Sequence, residues 1–226
     1  MSIGCKINLN YERPDWALVE ALKEFPVANI DDCMDRTAAI HSSIRPLNQT
    51  RLAGIAFTVR VPEGDNLLFH KALDLVQPGD VVMIDAGGGE TRAIFGEIMA
   101  KYCRIRGVAG IVVDGCVRDT DYLESLTDMA IYAKGSTPNG PYKNGPGEIG
   151  TVIQVGGRVI KPGDIILGDS DGVIAVDPAD APALIEATKA VQEKEAAIMA
   201  AMERDGSYNR PWVDETLRKL GCNDIE

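Results

Sequence analysis

Histidine is scarce in this chain of 226 residues, and cysteine is sparse and unpatterned. His41 and His70 are the only histidines, which excludes a histidine-rich metal site and leaves a Ser-His-Asp triad only two candidates, both in unpromising contexts. The five cysteines form an odd number and show no C-x-x-C spacing. This pattern argues against a disulfide framework or a structural zinc site and predicts a reducing, cytoplasmic location.

Long apolar runs and an excess of positive charge are also missing. The longest apolar stretches, such as residues 81–84 and 111–113, are far shorter than the ~20 residues that cross a bilayer. Residues 1–8 lack the apolar run and cleavage site of a secretory signal. Acidic residues outnumber basic ones 34 to 23, giving a net charge of -11 that would repel a phosphate backbone. We therefore expect neither a membrane span nor a nucleic-acid partner.

The remaining composition, 45% hydrophobic and 25% charged, is that of a globular chain with a full core. Apolar residues at helical spacing between Pro14 and Pro26 predict a short helix. The alternation that begins at Leu52 and runs to residue 61 predicts a half-buried strand, and a second short helix is expected over residues 65–75.

The sequence contains an internal repeat, in which residues 78–85 (PGDVVMID) recur as residues 162–169 (PGDIILGD). Each copy predicts a Pro-Gly turn that leads into a buried strand. Between the copies we expect a helix from about Gly96 to Arg106, capped by Gly107, and a strand over residues 108–113 that ends near residues 114–115. This order predicts a mixed α/β fold.

Residues 135–149 contain four glycines and three prolines, which predicts a long loop with no regular element. Such a loop is either a wall of a functional site or a plain surface connection. Lys134 and Lys143 flank it and could form cationic walls for a carboxylate.

The chain changes character after Pro178, so we divide it into a mixed α/β domain (residues 1–178, including the N-terminal helix) and a helical extension (residues 179–226). The Ala/Glu/Lys-rich stretch up to Gly206 predicts one long helix, too polar for a core. One face carries a seam that must pack on something, for which a neighbouring subunit is the expected partner. Its members are Leu184, Thr188, Val191, Glu195, Ile198 and Met202.

Two familiar motifs do not fit their usual contexts. Residues 168–172 match G-x-S-x-G, but a predicted strand follows where a nucleophile elbow needs a helix, so a turn is expected. Residues 87–89 are three glycines after a strand, yet Arg92 stands where G-x-G-x-x-G needs its last glycine. No nucleotide-binding fingerprint remains.

The chemistry is expected instead at Arg118 and Asp119, just beyond a predicted strand, where ligand crevices of strand-helix folds lie. The Arg fork matches a carboxylate, and the Asp oxygens suit Mg²⁺ or Mn²⁺, so the pair could hold a keto acid and a metal. Gly96 and the start of the following helix offer free amides for an anion, and Glu97 beside that anion would call for a cation. An Arg-Asp turn, with Glu97 favoured by the helix dipole, is the structural alternative.

These segments carry a resemblance. Residues 96–100 (GEIMA), 107–119 (GVAGIVVDGCVRD) and 162–173 (PGDIILGDSDGV) resemble the family that joins the regulator of ribonuclease activity A to the 4-hydroxy-4-methyl-2-oxoglutarate / 4-carboxy-4-hydroxy-2-oxoadipate aldolases. The match covers roughly residues 27–178. It implies a three-layer β/β/α swivelling-type domain, here with an appended long C-terminal helix, assembled as a homotrimer or homohexamer.

The resemblance also implies an activity and its residues. The aldolases are class II lyases dependent on Mg²⁺ or Mn²⁺, which cleave 4-hydroxy-2-oxo acids to pyruvate and decarboxylate oxaloacetate. By this likeness Arg118 binds the pyruvyl carboxylate together with the amides of Ile98 and Met99. Asp119 holds the metal, partly through waters, and Glu97 lies near it.

The resemblance leaves two questions open. The family's regulators act by docking on their ribonuclease, so a non-catalytic regulator of ribonuclease E type is the alternative function; Glu97, Arg118, Asp119 and the long tail favour the enzyme. Glu195 is either a solvated gap in the seam, an interface salt-bridge partner, or an acid delivered into a neighbouring subunit's site. The resemblance favours the last role, because the aldolases contribute a glutamate from a C-terminal segment of the adjacent subunit. Glu193 is a weaker candidate for the same role.

Overall fold

The structure is a computed structural model, and it describes residues 4–222. The helices and strands, in chain order, are β1 (Cys5–Ile7), α1 (Trp16–Leu22), α2 (Val27–Asp32), β2 (Arg45–Pro46), β3 (Leu52–Arg60), α3 (Leu67–Leu73), β4 (Asp80–Phe95), α4 (Glu97–Ile105), β5 (Gly110–Val117), α5 (Thr120–Glu124), β6 (Ala130–Ser136), β7 (Gly147–Ile149), β8 (Ile153–Val155), β9 (Arg158–Ile160), β10 (Ile165–Asp169), β11 (Gly172–Val176), α6 (Ala181–Asp205) and α7 (Pro211–Lys219).

The central sheet has the strand order β1-β7-β3-β4-β5-β6-β2, and the β10-β11 hairpin branches from β3. Strands β3, β4, β5 and β6 are parallel to one another. One face is covered by α3, α4 and α5, while β8-β9 and β10-β11 cover the other. The three layers are therefore β/β/α, as predicted.

Both faces of β3 are buried, so the expectation of a half-buried strand is wrong. Ile55 and Phe57 lie on one face of β3, where they pack into two different core clusters, and Ala56 and Thr58 on the other face are fully buried as well. The alternation of small and large residues reflects two packed faces rather than one wet face.

The two copies of the internal repeat, residues 78–85 and 162–169, form equivalent turns on either side of β3. The carboxylate of Asp80 accepts a 2.7 Å hydrogen bond from the amide of Gln77, and Asp164 accepts one of 2.8 Å from Lys161. Gly79 and Gly163 adopt positive φ angles of 84° and 93°, which glycine tolerates without strain. Ile55 of β3 pairs with Asp80 on one side and with Ile165 on the other. The repeat thus builds the strands on either side of Ile55 in β3.

Other boundaries were predicted with mixed success. The helices at residues 16–22, 67–73 and 97–105 are confirmed, and Gly107 follows α4 with a positive φ of 73°. Residues 168–172 form the β10-β11 turn, as predicted. However, β5 continues to Val117 rather than ending near residue 115. The predicted loop is shorter at both ends, because β6 includes residues 135–136 and β7 occupies residues 147–149 between β1 and β3.

The long C-terminal helix is confirmed as α6, but it is not wholly outside the core. Ala181, Leu184 and Thr188 are buried against α1 and α2 of the same chain, so the first half of the seam has an intramolecular partner. Beyond residue 192 the helix and α7 are largely exposed in the single chain. Packing of that second half on a neighbouring subunit stays a prediction. Within residues 4–222 no helix combines the length and apolarity that a bilayer span requires.

Candidate active site

The adjacent ends of β4 and β5 bring Arg118 and Asp119 to the start of α4. Phe95 and Val117 are the last residues of these parallel strands and face each other. The amide of Arg118 donates a 2.9 Å hydrogen bond to the carbonyl of Phe95, which joins the two strand ends. Asp119 has a positive φ of 59°, an uncommon conformation for a residue with a side chain and one that clusters at functional sites.

Gly96 is required by the proximity of these two side chains. A Cβ atom at residue 96 would lie 2.5 Å from Oδ2 of Asp119 and 3.0 Å from Cγ of Arg118. Its backbone is extended, with φ of -167°, so the reason for glycine is space and not a forbidden conformation. We expected Gly96 to let a ligand approach the backbone closely. In this structure, the side chains of Asp119 and Arg118 make that close approach.

The first turn of α4 presents its amides to the same place. The Glu97 amide donates a 2.9 Å hydrogen bond to Oδ2 of Asp119. The amides of Ile98 and Met99 have no intrahelical acceptor, since the first amides of any α-helix lack one. The positive end of the helix dipole adds to the attraction for an anion. Arg118 completes the arrangement, with its Nε 3.8 Å from Oδ2 of Asp119.

The opposite wall comes from α3 and from the loop of residues 137–146. Together these elements enclose a cavity of about 210 Å³. Its lining comprises Asn66, His70, Ala93, Ile94, Phe95, Gly96, Ile98, Met99, Arg118, Asp119, Pro141 and Lys143. Three cationic or titratable nitrogen groups, from Arg118, His70 and Lys143, therefore converge on a small space with an apolar floor.

Asn66 has an unusual environment in this cavity. Its side-chain amide donates a 3.0 Å hydrogen bond to the carbonyl of Ile94, and only 3% of the residue is exposed. Its Oδ1 is buried and accepts no hydrogen bond from the residues that the structure describes. A buried acceptor without a donor is costly, so a ligand donor at this atom would be stabilising.

His70 reaches the cavity from one turn further along α3. Partial burial lowers the pKa of His70, and the nearby Lys143 cation lowers it further. At neutral pH the imidazole is therefore uncharged and can both donate and accept a hydrogen bond.

Of the predicted site residues, Gly96, Ile98, Met99, Arg118 and Asp119 line this single cavity. Glu97 lies at its edge: its amide contacts Asp119, but its carboxylate pairs with Lys101 at 2.5 Å and raises the pKa of that lysine.

Glu195 lies elsewhere in the single chain. Its Oε2 accepts a 2.7 Å hydrogen bond from Asn29 of α2, and no residue of α6 lines the cavity. Lys134 is also placed away from it, beside Glu90 and Asp114, whereas Lys143 is a wall residue.

Sequence reasoning missed Asn66 and His70. Both lie in the helix expected over residues 65–75, and the sequence context of His70 indicated neither a histidine-rich metal site nor a catalytic triad. The available signal was their spacing of four residues, which places them on one face of a helix that directly follows a central parallel strand.

The donor set suits a hard cation that keeps much of its water. Among residues 4–222, no group of three or more His, Cys, Asp or Glu side chains is arranged to hold a metal. Asp119 alone offers a carboxylate to the cavity, with 41% of its side chain exposed. Mg²⁺ commonly binds through one or two carboxylates and several waters, so Asp119 fits the predicted Mg²⁺ or Mn²⁺ and does not fit a tightly caged metal.

Comparison with known proteins identifies the family. The model of the RraA-like family, described as Aldolase/RraA, matches residues 27–175. The chain belongs to this family. A relative from Halalkalibacterium halodurans is 37% identical over 200 residues, which are 88% of this chain and 95% of that protein. One from Arabidopsis thaliana is 35% identical over 137 residues, or 60% of this chain and 81% of that protein.

Both relatives bear the name "Putative 4-hydroxy-4-methyl-2-oxoglutarate aldolase", the Arabidopsis protein with the numeral 3. Among solved structures, Streptomyces coelicolor RraAS2 superimposes with a TM-score of 0.72 at 26% identity, over 85% of this chain and 99% of that one. That protein is described as an unusual member of the RNase ES inhibitor RraA protein family. The Aldolase/RraA family therefore contains proteins named for two different functions, and the predicted membership is confirmed.

Proposed function

We propose that the protein is a divalent-metal-dependent class II aldolase, a carbon-carbon lyase. Its substrate would be 4-hydroxy-4-methyl-2-oxoglutarate or a related 4-hydroxy-2-oxo acid, cleaved to pyruvate, and it would also decarboxylate oxaloacetate. The observation that carries the proposal is the cavity in which Arg118, Asp119 and the free amides of α4 face Asn66, His70 and Lys143.

Recognition of the 2-oxo acid begins at its carboxylate. Arg118 presents a planar guanidinium fork, and the amides of Ile98 and Met99 point outward from the helix end. These donors match the geometry of a carboxylate and would fix the orientation of the pyruvyl end.

Asp119 would hold Mg²⁺ or Mn²⁺, with Glu97 near the metal's waters. When bound, the ion supplies a Lewis acid that polarises the 2-oxo group and stabilises the charge that develops on the enolate oxygen. The amide of Glu97 fixes Oδ2 of Asp119, and Oδ1 would then be the oxygen that binds the metal.

The opposite wall can bind the part of the substrate beyond the bond that breaks. Lys143 would pair with a second carboxylate, and neutral His70 would hydrogen-bond a hydroxyl group. Asn66 Oδ1, which lacks a partner among the described residues, would accept from that hydroxyl. The apolar floor of Phe95 and Met99 limits the access of bulk water.

The experiment that tests the proposal is an assay of pyruvate release from 4-hydroxy-4-methyl-2-oxoglutarate and from oxaloacetate, with and without Mg²⁺. Divalent ions decarboxylate oxaloacetate slowly by themselves, so the rate without protein is subtracted. Turnover that needs both protein and metal supports the lyase. Its absence for both substrates at saturating Mg²⁺ would contradict it.

A second function is favoured by the likeness to RraAS2, which is described as a member of an RNase inhibitor family. A non-catalytic regulator of ribonuclease E type would act through its surface and would not need the cavity. Inhibition of a purified ribonuclease E by the wild type, retained in Arg118→Ala, would favour this function.

The assembly and location are further proposals. We propose a homotrimer or homohexamer in which the exposed second half of α6 packs on a neighbouring subunit and brings Glu195 to that subunit's site. The cytoplasmic location expected from the cysteine content also stays a prediction.

A further inference from the structure

Asp65 is a buried carboxylate between β3 and α3, with 4% of the residue exposed, and it bonds to one neighbouring and one distant segment. Its Oδ1 accepts a 2.9 Å hydrogen bond from the amide of Leu67, the first residue of α3. Its Oδ2 accepts from the amides of Asn144 and Gly145, at 2.6 and 3.1 Å. One side chain therefore fixes both the start of a helix and the end of a loop that lies 79 residues away.

These two segments are the two parts of the wall opposite Arg118. Asn66 directly follows Asp65, and His70 is one turn further along α3. Lys143 directly precedes Asn144 in the loop. Asp65 is thus the sequence neighbour of the wall residue Asn66. Its carboxylate also accepts a hydrogen bond from the amide of Asn144, which follows the wall residue Lys143.

The rest of the loop is fixed independently of Asp65. Arg92 donates a 2.8 Å hydrogen bond from Nη1 to the carbonyl of Gly140, and its guanidinium lies 4.0 Å above the ring of Tyr142. The backbone of Tyr142 is bonded to Gly64 and Asn66. Lys143 is therefore placed between an anchor on β4 and an anchor at Asp65.

The side-chain type at residue 65 matters, because three amide donors converge on it. A carboxylate offers two acceptor oxygens and no donor, so all three amides can be satisfied. Asparagine would turn an NH₂ group toward at least one of them, and serine could satisfy the Leu67 amide but could not also reach the loop.

We propose that Asp65 is a positioning residue that holds Lys143 against His70 and thereby sets the shape of the wall opposite Arg118. The role of that wall in substrate binding rests on the proposed lyase function, but the positioning itself does not. Without the carboxylate, Asn144 and Gly145 lose their hydrogen bonds to Asp65, and the backbone bonds of Tyr142 remain as the link to the start of α3.

The test compares Asp65→Ser with a matched control, Asp169→Asn. Asp169 also joins two segments through its two oxygens, at 3.0 Å to Val27 and at 3.0 Å to Asp171, but it lies away from the cavity. Two readouts are used on the full chain: amide hydrogen exchange, and the pKa of His70 from the titration of its ring protons by NMR.

In Asp65→Ser we expect exchange at Asn144 and Gly145 to accelerate at least 10-fold while β5 keeps its protection, and the pKa of His70 to rise toward 6.5. Combining it with Lys143→Met should give nearly the same His70 pKa as Lys143→Met alone. Asp169→Asn should change neither readout. Unchanged exchange and an unchanged His70 pKa in Asp65→Ser would overturn the positioning role, and so would a uniform loss of protection across the domain.

Asp65→Asn is the second variant if serine prevents folding, because asparagine retains an acceptor for Leu67. Unfolding of both would assign Asp65 to the folding core and contradict the proposal. Neither readout requires turnover. A chain that lacks lyase activity, but whose loop is released in Asp65→Ser, would contradict the proposed function and leave the positioning role supported.

Discussion

The amide of Glu97 donates a 2.9 Å hydrogen bond to Oδ2 of Asp119, so the first residue of α4 fixes the carboxylate assigned to the metal. The contact exists because Gly96 lets the helix start approach the β5 turn closely. It fixes one oxygen of Asp119 against the start of the helix. The site therefore depends on backbone placement as much as on its side chains.

Gly96→Ala tests that placement. The added methyl carbon would lie 2.5 Å from Oδ2 of Asp119, which must move and release the Glu97 amide. We expect lyase activity to fall by about 10²-fold, on the order of other misplacements of reacting groups, while circular dichroism reports an intact fold.

The control for Gly96→Ala is Gly135→Ala. There the added carbon meets only Sγ of Cys116, at 3.5 Å, an ordinary contact. If both variants kept normal turnover, the close approach at residue 96 would have no functional meaning.

Arg118 is expected to act through the shape of its fork as well as through its charge. Arg118→Ala should lower kcat/KM by about 10²-fold or more, and Arg118→Lys by about 10-fold or more, since a point charge cannot form the bidentate contact. The loss should be largest in the binding of pyruvate, measured by calorimetry. Arg36→Lys, on an exposed ion pair with Asp32, is the control. Full pyruvate affinity in Arg118→Lys would show that pyruvate binding does not depend on the bidentate guanidinium fork.

The pKa of His70 provides a test that needs no substrate. Burial and the Lys143 cation both lower it, so Lys143→Met should raise it toward 6.5 and leave the burial contribution in place. A histidine whose pKa is lowered by folding contributes stability above about pH 6.5, and that contribution is lost as the pH falls. Lys143→Met should therefore reduce the loss of stability on acidification from pH 7 to 5. If an NMR titration of Lys143→Met shows that the His70 pKa stays the same or falls, the Lys143 cation does not lower the pKa of His70.

Chelation should abolish the proposed lyase activity without unfolding the protein. A metal held by Asp119 and waters contributes little to folding, because few protein ligands depend on it. EDTA should abolish pyruvate release with only a small change in the melting temperature, and Mg²⁺ or Mn²⁺ should restore activity. Activity that survives exhaustive chelation would favour a Schiff-base lysine instead, which borohydride trapping with pyruvate would detect at Lys143.

The sequence predicted one wall of the cavity but, apart from the candidate Lys143, missed the other for a physical reason. Arg118 and Asp119 are adjacent in the chain and follow a recognisable strand, so local reasoning could place them at a strand end. Asn66, His70 and Lys143 meet that wall only through tertiary contacts, above all through Asp65 and the loop after β6. No local pattern encodes that meeting.

The C-terminal helix shows a similar limit. Its length and seam were predicted from periodicity, yet the burial of Leu184 and Thr188 against α1 and α2 could not be. A seam shows that a partner exists but does not identify it, and here its first half belongs to the same chain. The contact between Glu195 and Asn29 is likewise a product of that packing.

Glu195→Gln separates the remaining roles of this glutamate. The amide oxygen can still accept from Asn29, so the fold and oligomer should be preserved, whereas an acid serving a neighbouring site would be lost. We expect turnover to fall by about 10²-fold with pyruvate binding unchanged. Asn29→Ala is the control that removes only the intramolecular contact. Reassembly of Glu195→Gln subunits with Asp119→Ala subunits should then recover part of the activity; no recovery in mixed oligomers would leave Glu195 a structural residue.

The central claim is that this cavity forms the pyruvate enolate with a metal at Asp119. The most direct measurement is the exchange of pyruvate methyl protons with D₂O, followed by proton NMR, because it reports enolate formation for any member of the proposed substrate class. The account predicts rapid exchange with wild type and Mg²⁺, and exchange at the protein-free rate with EDTA, with Arg118→Ala or with Asp119→Ala. Protein-dependent exchange that persists in Asp119→Ala, or no exchange above background in the wild type, would contradict it.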